Sequence, residues 1–124
     1  MSNEMLYKEV ILDLYRNPLN RKELEVFDME KTGHNPTCGD KITLRMKFEG
    51  EKLTNIGWTG EGCAISQAAI SLITDEVKNK TKTEIKNITK EQMLSMLGIP
   101  ISHTRLKCVL LGWQTVQSAL ESHP

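Results

Sequence analysis

From Lys41 to Glu49 the chain alternates strictly, with Ile42, Leu44, Met46 and Phe48 on one side and Thr43, Arg45, Lys47 and Glu49 on the other. A period of two over this length fits an extended strand with one buried face. Glu49-Gly50-Glu51 then reads as a turn and Leu53 to Thr59 as a returning strand, which makes an antiparallel hairpin. After Gly60-Glu61-Gly62-Cys63 the period changes. Ala64, Ile65, Ala68, Ala69, Leu72, Ile73 and Val77 recur on one helical face. A sheet with one apolar face followed by an apolar-striped helix calls for an α+β arrangement, in which helices cover that face.

The rest of the chain supplies the remaining pieces. Met5 to Arg16 reads as an amphipathic helix striped by Leu6, Tyr7, Val10, Ile11, Leu14 and Tyr15, and Asn17-Pro18 stops it. Leu24 to Met29 is expected to form a third, short strand. The lysines between Lys78 and Lys90 read as a solvated face and loop. Thr89 and Gln92 have capping-box spacing for a short helix to Leu97, which Gly98 and Pro100 end. Ser102 is placed to cap a last helix, through about Leu120, with a stripe of Leu106, Val109, Leu110, Trp113, Val116 and Leu120. The expected fold is a small antiparallel three-stranded sheet with helices packed on one face, the other face staying polar. With 124 residues, 39% of them hydrophobic, and no internal repeat or linker, one domain over 1–124 is expected.

Charge and segment composition narrow the function. Lysine plus arginine and aspartate plus glutamate both number 16, and no long basic run stands out, so nucleic acid is not an expected partner. The first residues carry charges where a secretory leader has an apolar run, and no stretch has the apolar length of a membrane span. A cytoplasmic protein without a membrane partner is expected. Three cysteines in such a chain argue against a disulfide framework and for free thiols, metal ligands or a reactive sulfur.

Each cysteine occupies an informative place. Cys38 lies in Asn35-Pro36-Thr37-Cys38-Gly39-Asp40, a loop by composition, and if the chain is already extended there, alternation points Asp40 the same way as Cys38. Cys63 follows Gly60-Glu61-Gly62, whose glycines let the backbone approach a ligand, and it opens a helix with free N–H groups. On the last helix Cys108 falls roughly opposite Leu106, in line with Arg105, Gly112 and Thr115, so it is not simply a stripe residue. A lone cysteine usually reads as a small buried hydrophobe. Three so placed, one beside an aspartate, favour a shared metal or sulfur site. No paired Cys-x-x-Cys zinc signature supports this by spacing.

The segments Asn35-Pro36-Thr37-Cys38-Gly39-Asp40, Gly60-Glu61-Gly62-Cys63-Ala64-Ile65-Ser66 and Arg105-Leu106-Lys107-Cys108 resemble, in order and setting, the three cysteine motifs of the IscU/SufU (NifU N-terminal-like) iron–sulfur assembly family. The resemblance spans nearly the whole chain. It implies that Cys38, Asp40, Cys63 and Cys108 hold a transient [2Fe–2S] cluster or Zn2+, and that Cys38, Cys63 and Cys108 are candidate persulfide acceptors. It also implies a pyridoxal-phosphate (PLP)-dependent cysteine desulfurase as sulfur donor, and apo iron–sulfur proteins or downstream carriers as recipients. Thiolates suit both centres, and an oxygen ligand makes a more labile attachment than a fourth sulfur.

Two branches of the family differ in what they imply. In the IscU-like branch a histidine precedes the third cysteine; here that residue is Lys107, which with Trp113 points to the SufU-like branch. SufU-like proteins carry an extra Gly-rich segment between the second and third cysteines, whereas Ser66 to Lys107 is short and contains only Gly98. The leading expectation is a scaffold without catalytic turnover that assembles a cluster for apo-proteins. The alternatives are a zinc-dependent sulfurtransferase served by a SufS-type desulfurase, and a structural zinc-binding domain. His34, His103 and His123 do not occupy the family's histidine position and read as surface residues. Trp113 reads as core, and Ser66 and Gln67 as candidate hydrogen-bond partners of a sulfur.

Overall fold

The computed structural model describes the main chain of residues 3–122 and the side chains of residues 9–122. Leu6 and Tyr7 of the first stripe and His123 therefore lie outside the described side chains. The element order is α1 (Asn3–Arg16), β1 (Met29–Asn35), β2 (Asp40–Glu49), β3 (Lys52–Glu61), α2 (Ala64–Val77), α3 (Lys82–Lys86), α4 (Lys90–Leu97) and, after a 3-10 turn at His103–Arg105, α5 (Leu106–Ser122).

The alternating segment is the middle strand of an antiparallel sheet ordered β1-β2-β3. Ile42, Leu44, Met46 and Phe48 are buried, as the alternation requires, and Asp40 is in phase with them. Residues Lys41 to Lys47 pair with Glu61 to Asn55 in β3, and a register shift follows Lys47. Trp58, opposite Leu44, is fully buried, and its indole N–H donates to the Leu19 carbonyl (2.8 Å).

The third strand lies later than expected. Leu24 to Asp28 is irregular, and β1 begins at Met29. Leu24 and Met29 are buried, but Val26 is 66% exposed, so this stretch has no alternating face to bury. It crosses the outer sheet surface instead. Phe27 lies under the Arg45 guanidinium (4.4 Å), and Arg45 also pairs with Glu23 (3.2 Å) and Glu30 (2.7 Å). Residues 19–22 continue along the free side of β3, where Trp58 N–H donates to the Asn20 carbonyl (3.0 Å).

Helices cover the inner face. α5 packs on β1 and α2, and α1 packs on α2, where Ile11 and Leu14 are buried while Val10 and Tyr15 remain exposed. The lysine-rich stretch contains a short helix that composition hid: α3 is closed by a Thr81–Glu84 capping box and buries Ile85. The Thr89–Gln92 capping box and the left-handed Gly98 bound α4 as expected. Ser102 makes no side-chain cap, and the 3-10 turn leads into α5 instead. Trp113 is half-buried, its N–H donating to the Ile88 carbonyl (2.9 Å). Among the described residues no helix is long and apolar enough to cross a membrane.

Candidate metal centre

Three chain segments meet at one end of the sheet: the β1–β2 turn, the β3–α2 junction and the first turn of α5. In the turn, Cys38 N–H donates to the Asn35 carbonyl (3.3 Å), which leaves the Cys38 side chain exposed. Asp40, the first residue of β2, points inward with the apolar side chains of that strand and is fully buried. Cys108, in the first turn of α5, is 1% exposed, and its thiol lies 3.2 Å from Cys38 Sγ. One ligand atom from each of Cys38, Asp40 and Cys108 lies within 4.8 Å of the others.

Cys63 stands apart from this trio. It is the N-cap of α2, and its Sγ accepts the Ser66 main-chain N–H (3.4 Å). Its own N–H donates to Asp40 Oδ1 (3.0 Å), so its backbone is tied to the centre while its thiol turns toward its own helix. The preceding glycines make this approach possible. Gly60 has φ +137°, and a Cβ at Gly62 would lie 2.8 Å from Asp40 Oδ1 and 3.0 Å from Ser66 Oγ. Gln67 braces the same loop, its amide donating to the Gly62 carbonyl (2.9 Å). Ser66 thus serves the sulfur through its main chain, and Gln67 serves the loop.

Asn35 is a further functional candidate, of which the sequence showed only a loop setting beside Pro36. It is buried, and its amide nitrogen faces Asp40 Oδ2 (3.5 Å) and Cys108 Sγ (3.9 Å). Its place beside proline, three residues before a cysteine, is the one signal that hinted at it. His34 and His103 are exposed and belong to no such cluster. The face of α5 carrying Cys108, Gly112 and Thr115 is buried as well as the apolar stripe. Burial raises the Cys108 thiol pKa well above its ordinary value, and its hydrogen bond to Cys38 and the nearby Cys63 and Asp40 charges act in the same direction.

Two thiols and a carboxylate converging, with a third thiol on an adjoining helix cap, form a sulfur-rich donor set that fits zinc or iron–sulfur ligation. The profile of the NifU-like N terminal domain family matches residues 6–124. The chain belongs to that family. Among its NifU-like relatives, the zinc-dependent sulfurtransferase SufU of Bacillus subtilis (strain 168) is 32% identical, over 94% of this chain and 90% of the relative. The iron-sulfur cluster assembly scaffold protein IscU of Streptococcus pyogenes serotype M1 is 30% identical, over 94% and 83% respectively. A crystal structure from Fervidobacterium islandicum AW-1, assigned as an iron-sulfur cluster assembly scaffold protein for the SUF system, superposes with a TM-score of 0.79 at 28% identity. That match covers 96% of this chain and 99% of the other. The SufU alignment runs over 137 residues, more than the 124 of this chain, so that relative contains residues this chain lacks.

Proposed function

We infer that this chain is an iron–sulfur cluster assembly protein, acting as one domain over 1–124, which receives sulfur and combines it with iron for delivery to apo-proteins. The observation that supports this most is the convergence of Cys38, Asp40 and Cys108 within 4.8 Å beside the Cys63 helix cap. Iron and the nascent [2Fe–2S] unit are substrates that the protein holds and gives away. It works as a scaffold rather than through catalytic turnover.

The sulfur donor in this reading is a PLP-dependent cysteine desulfurase. Cys38 is the acceptor that exposure favours, because Cys108 is buried with a raised pKa and Cys63 is half-buried with its sulfur bonded to Ser66 N–H. The Cys38 thiolate attacks the outer sulfur of the donor persulfide, the donor cysteine departs as a thiolate, and the transferred sulfur stays on Cys38. Cys108 then lies beside the sulfur-bearing residue, Asn35 orients Asp40 and Cys108, and Asp40 keeps the Cys63 loop against the centre.

A second reading, as a zinc-dependent sulfurtransferase, is favoured by the similarity to SufU and by Lys107 before the third cysteine. Cys38, Asp40, Cys63 and Cys108 would then hold zinc, which when bound keeps thiols deprotonated and ordered. The test is anaerobic reconstitution with iron, cysteine and a cysteine desulfurase, following visible absorption, alongside metal analysis of the protein as isolated. A coloured cluster transferable to an apo-protein, and lost in Cys38→Ser, Cys63→Ser and Cys108→Ser, is the expected result. Tightly held zinc, no cluster and zinc-dependent stimulation of the desulfurase would establish the second reading instead.

A further inference from the structure

The two edges of the sheet are treated differently. Along β3, main-chain groups of Asn20 and Lys80 bond to Trp58 and Leu53, and Lys82 bonds to Glu51 just before the strand, so that side is covered at both points. Along β1, no main-chain group outside β2 pairs with residues 30–34 among the described residues. An open strand edge can take an added strand.

This edge also borders a groove. Two adjoining cavities of about 180 and 270 Å3 run between β1 and α5 and share His34, Leu111 and Gln114. One reaches Lys31 near the start of β1; the other ends at Thr37 and Lys107, the sequence neighbours of Cys38 and Cys108. α5 comes close at Gly33, where a Cβ would collide with the Thr115 hydroxyl, so the helix lies low over the strand because Gly33 adds no side chain of its own. A groove between an edge strand and a helix suits an extended peptide, with main-chain bonds to the strand and side chains against the helix.

Charge selects the occupant. Lys31 and Lys107 stand at the two ends with His34 between them, and no carboxylate lines either cavity. A second copy of β1 would bring a second Lys31 to the same small groove, which disfavours self-pairing. We propose that the β1–α5 groove binds an extended, acidic segment of a partner protein as an added strand, directing a cysteine at the end of that segment to Cys38 and Cys108. The binding surface stands on the groove alone, while the delivery of a cysteine rests on the sulfur- and cluster-handling role above.

The experiment titrates the isotopically labelled full chain with a capped peptide of seven residues, the length of β1, alternating glutamate and threonine, and with its lysine counterpart. Saturable shifts with slowed amide exchange in residues 30–34 and along Leu111–Ser118, for the glutamate peptide only, are expected. Lys31→Glu and Lys107→Glu should each weaken binding by about fivefold, more at low salt. Lys31→Glu should still bind zinc normally, since Lys31 is not among the proposed ligands. No saturable binding, equal binding of both peptides, or shifts confined to another surface would overturn the proposal. Desulfurase assays report separately: failure to accept sulfur while the glutamate peptide still binds would remove the cysteine-delivery clause and leave the docking surface standing.

Discussion

Asp40 is fully buried and accepts hydrogen bonds from Cys63 N–H and from the Asn35 amide. Removing it strips a partner from a main-chain donor at the centre, which costs about 1–3 kcal/mol when the donor is buried. Asp40→Ala is therefore expected to lower the stability of the metal-free protein by about 1–3 kcal/mol in urea denaturation. It should also weaken zinc binding at least about tenfold in a chelator competition. The two neighbouring thiols should respond unequally. Cys38 is exposed, so Cys38→Ser should leave metal-free stability within about 0.5 kcal/mol, whereas Cys108→Ser puts a hydroxyl in a buried site and should cost about 1–2 kcal/mol. The raised Cys108 pKa adds a pH dependence. The unfolded thiol ionises above about pH 8.5 while the folded one stays protonated, so alkali favours unfolding. Metal-free stability should be full below that pH and fall above it, and Cys108→Ala should flatten the decline; an equally steep decline in the variant would count against this cause. The loop setting of Cys38, the strand phase of Asp40 and the Gly-x-Gly setting of Cys63 were legible in the sequence. The burial of Cys108 was not, because its neighbours on that face, Gly112 and Thr115, carry no hydrophobic signal. They are small, which lets Ile70 and Gly33 come close.

At the scale of elements, the two long strands and the major helices follow from periodicity, and the departures share one cause. β1 is Met-Glu-Lys-Thr-Gly-His-Asn, almost without apolar residues, and is a strand because it pairs with β2 from Met29↔Met46 to Asn35↔Asp40. Leu24 to Asp28 has more apolar side chains, yet Phe27 and Val26 lie on the surface, with Phe27 against Arg45. Tertiary pairing overrides local propensity in both places. α3 was hidden because its helix signal is a cap and one buried residue, Ile85, in a lysine-rich stretch. The contact between α2 and α5 is the element-level feature most open to test. A Cβ at Gly112 would lie 2.7 Å from Ile70 Cδ1 and 3.2 Å from Ile70 Cα, a backbone atom that cannot swing away. Alanine gains about 1 kcal/mol of helix propensity over glycine, and the overpacking outweighs it. Gly112→Ala should destabilise the protein by about 1–2 kcal/mol and loosen metal binding, because α5 carries Cys108 while α2 follows Cys63. A stabilised variant would show that the helices separate freely.

Over the whole molecule, the centre joins the β1–β2 turn and the starts of α2 and α5, while the core extends well beyond it. One cluster of buried side chains runs from Ile11 and Leu14 through the inner sheet face to Leu120. Metal removal should therefore lower the melting temperature without abolishing cooperative unfolding, and zinc in excess should raise it again by mass action. A chain that loses its fold on chelation would instead be the structural zinc domain. The most direct test of the shared centre is X-ray absorption at the zinc edge of the zinc-loaded protein, native and Cys63→Ser. We expect sulfur to dominate the native first shell, with one oxygen neighbour, and the variant to lose one sulfur. A native shell poor in sulfur, or a sulfur count that Cys63→Ser leaves unchanged, would contradict a centre built from Cys38, Asp40, Cys63 and Cys108.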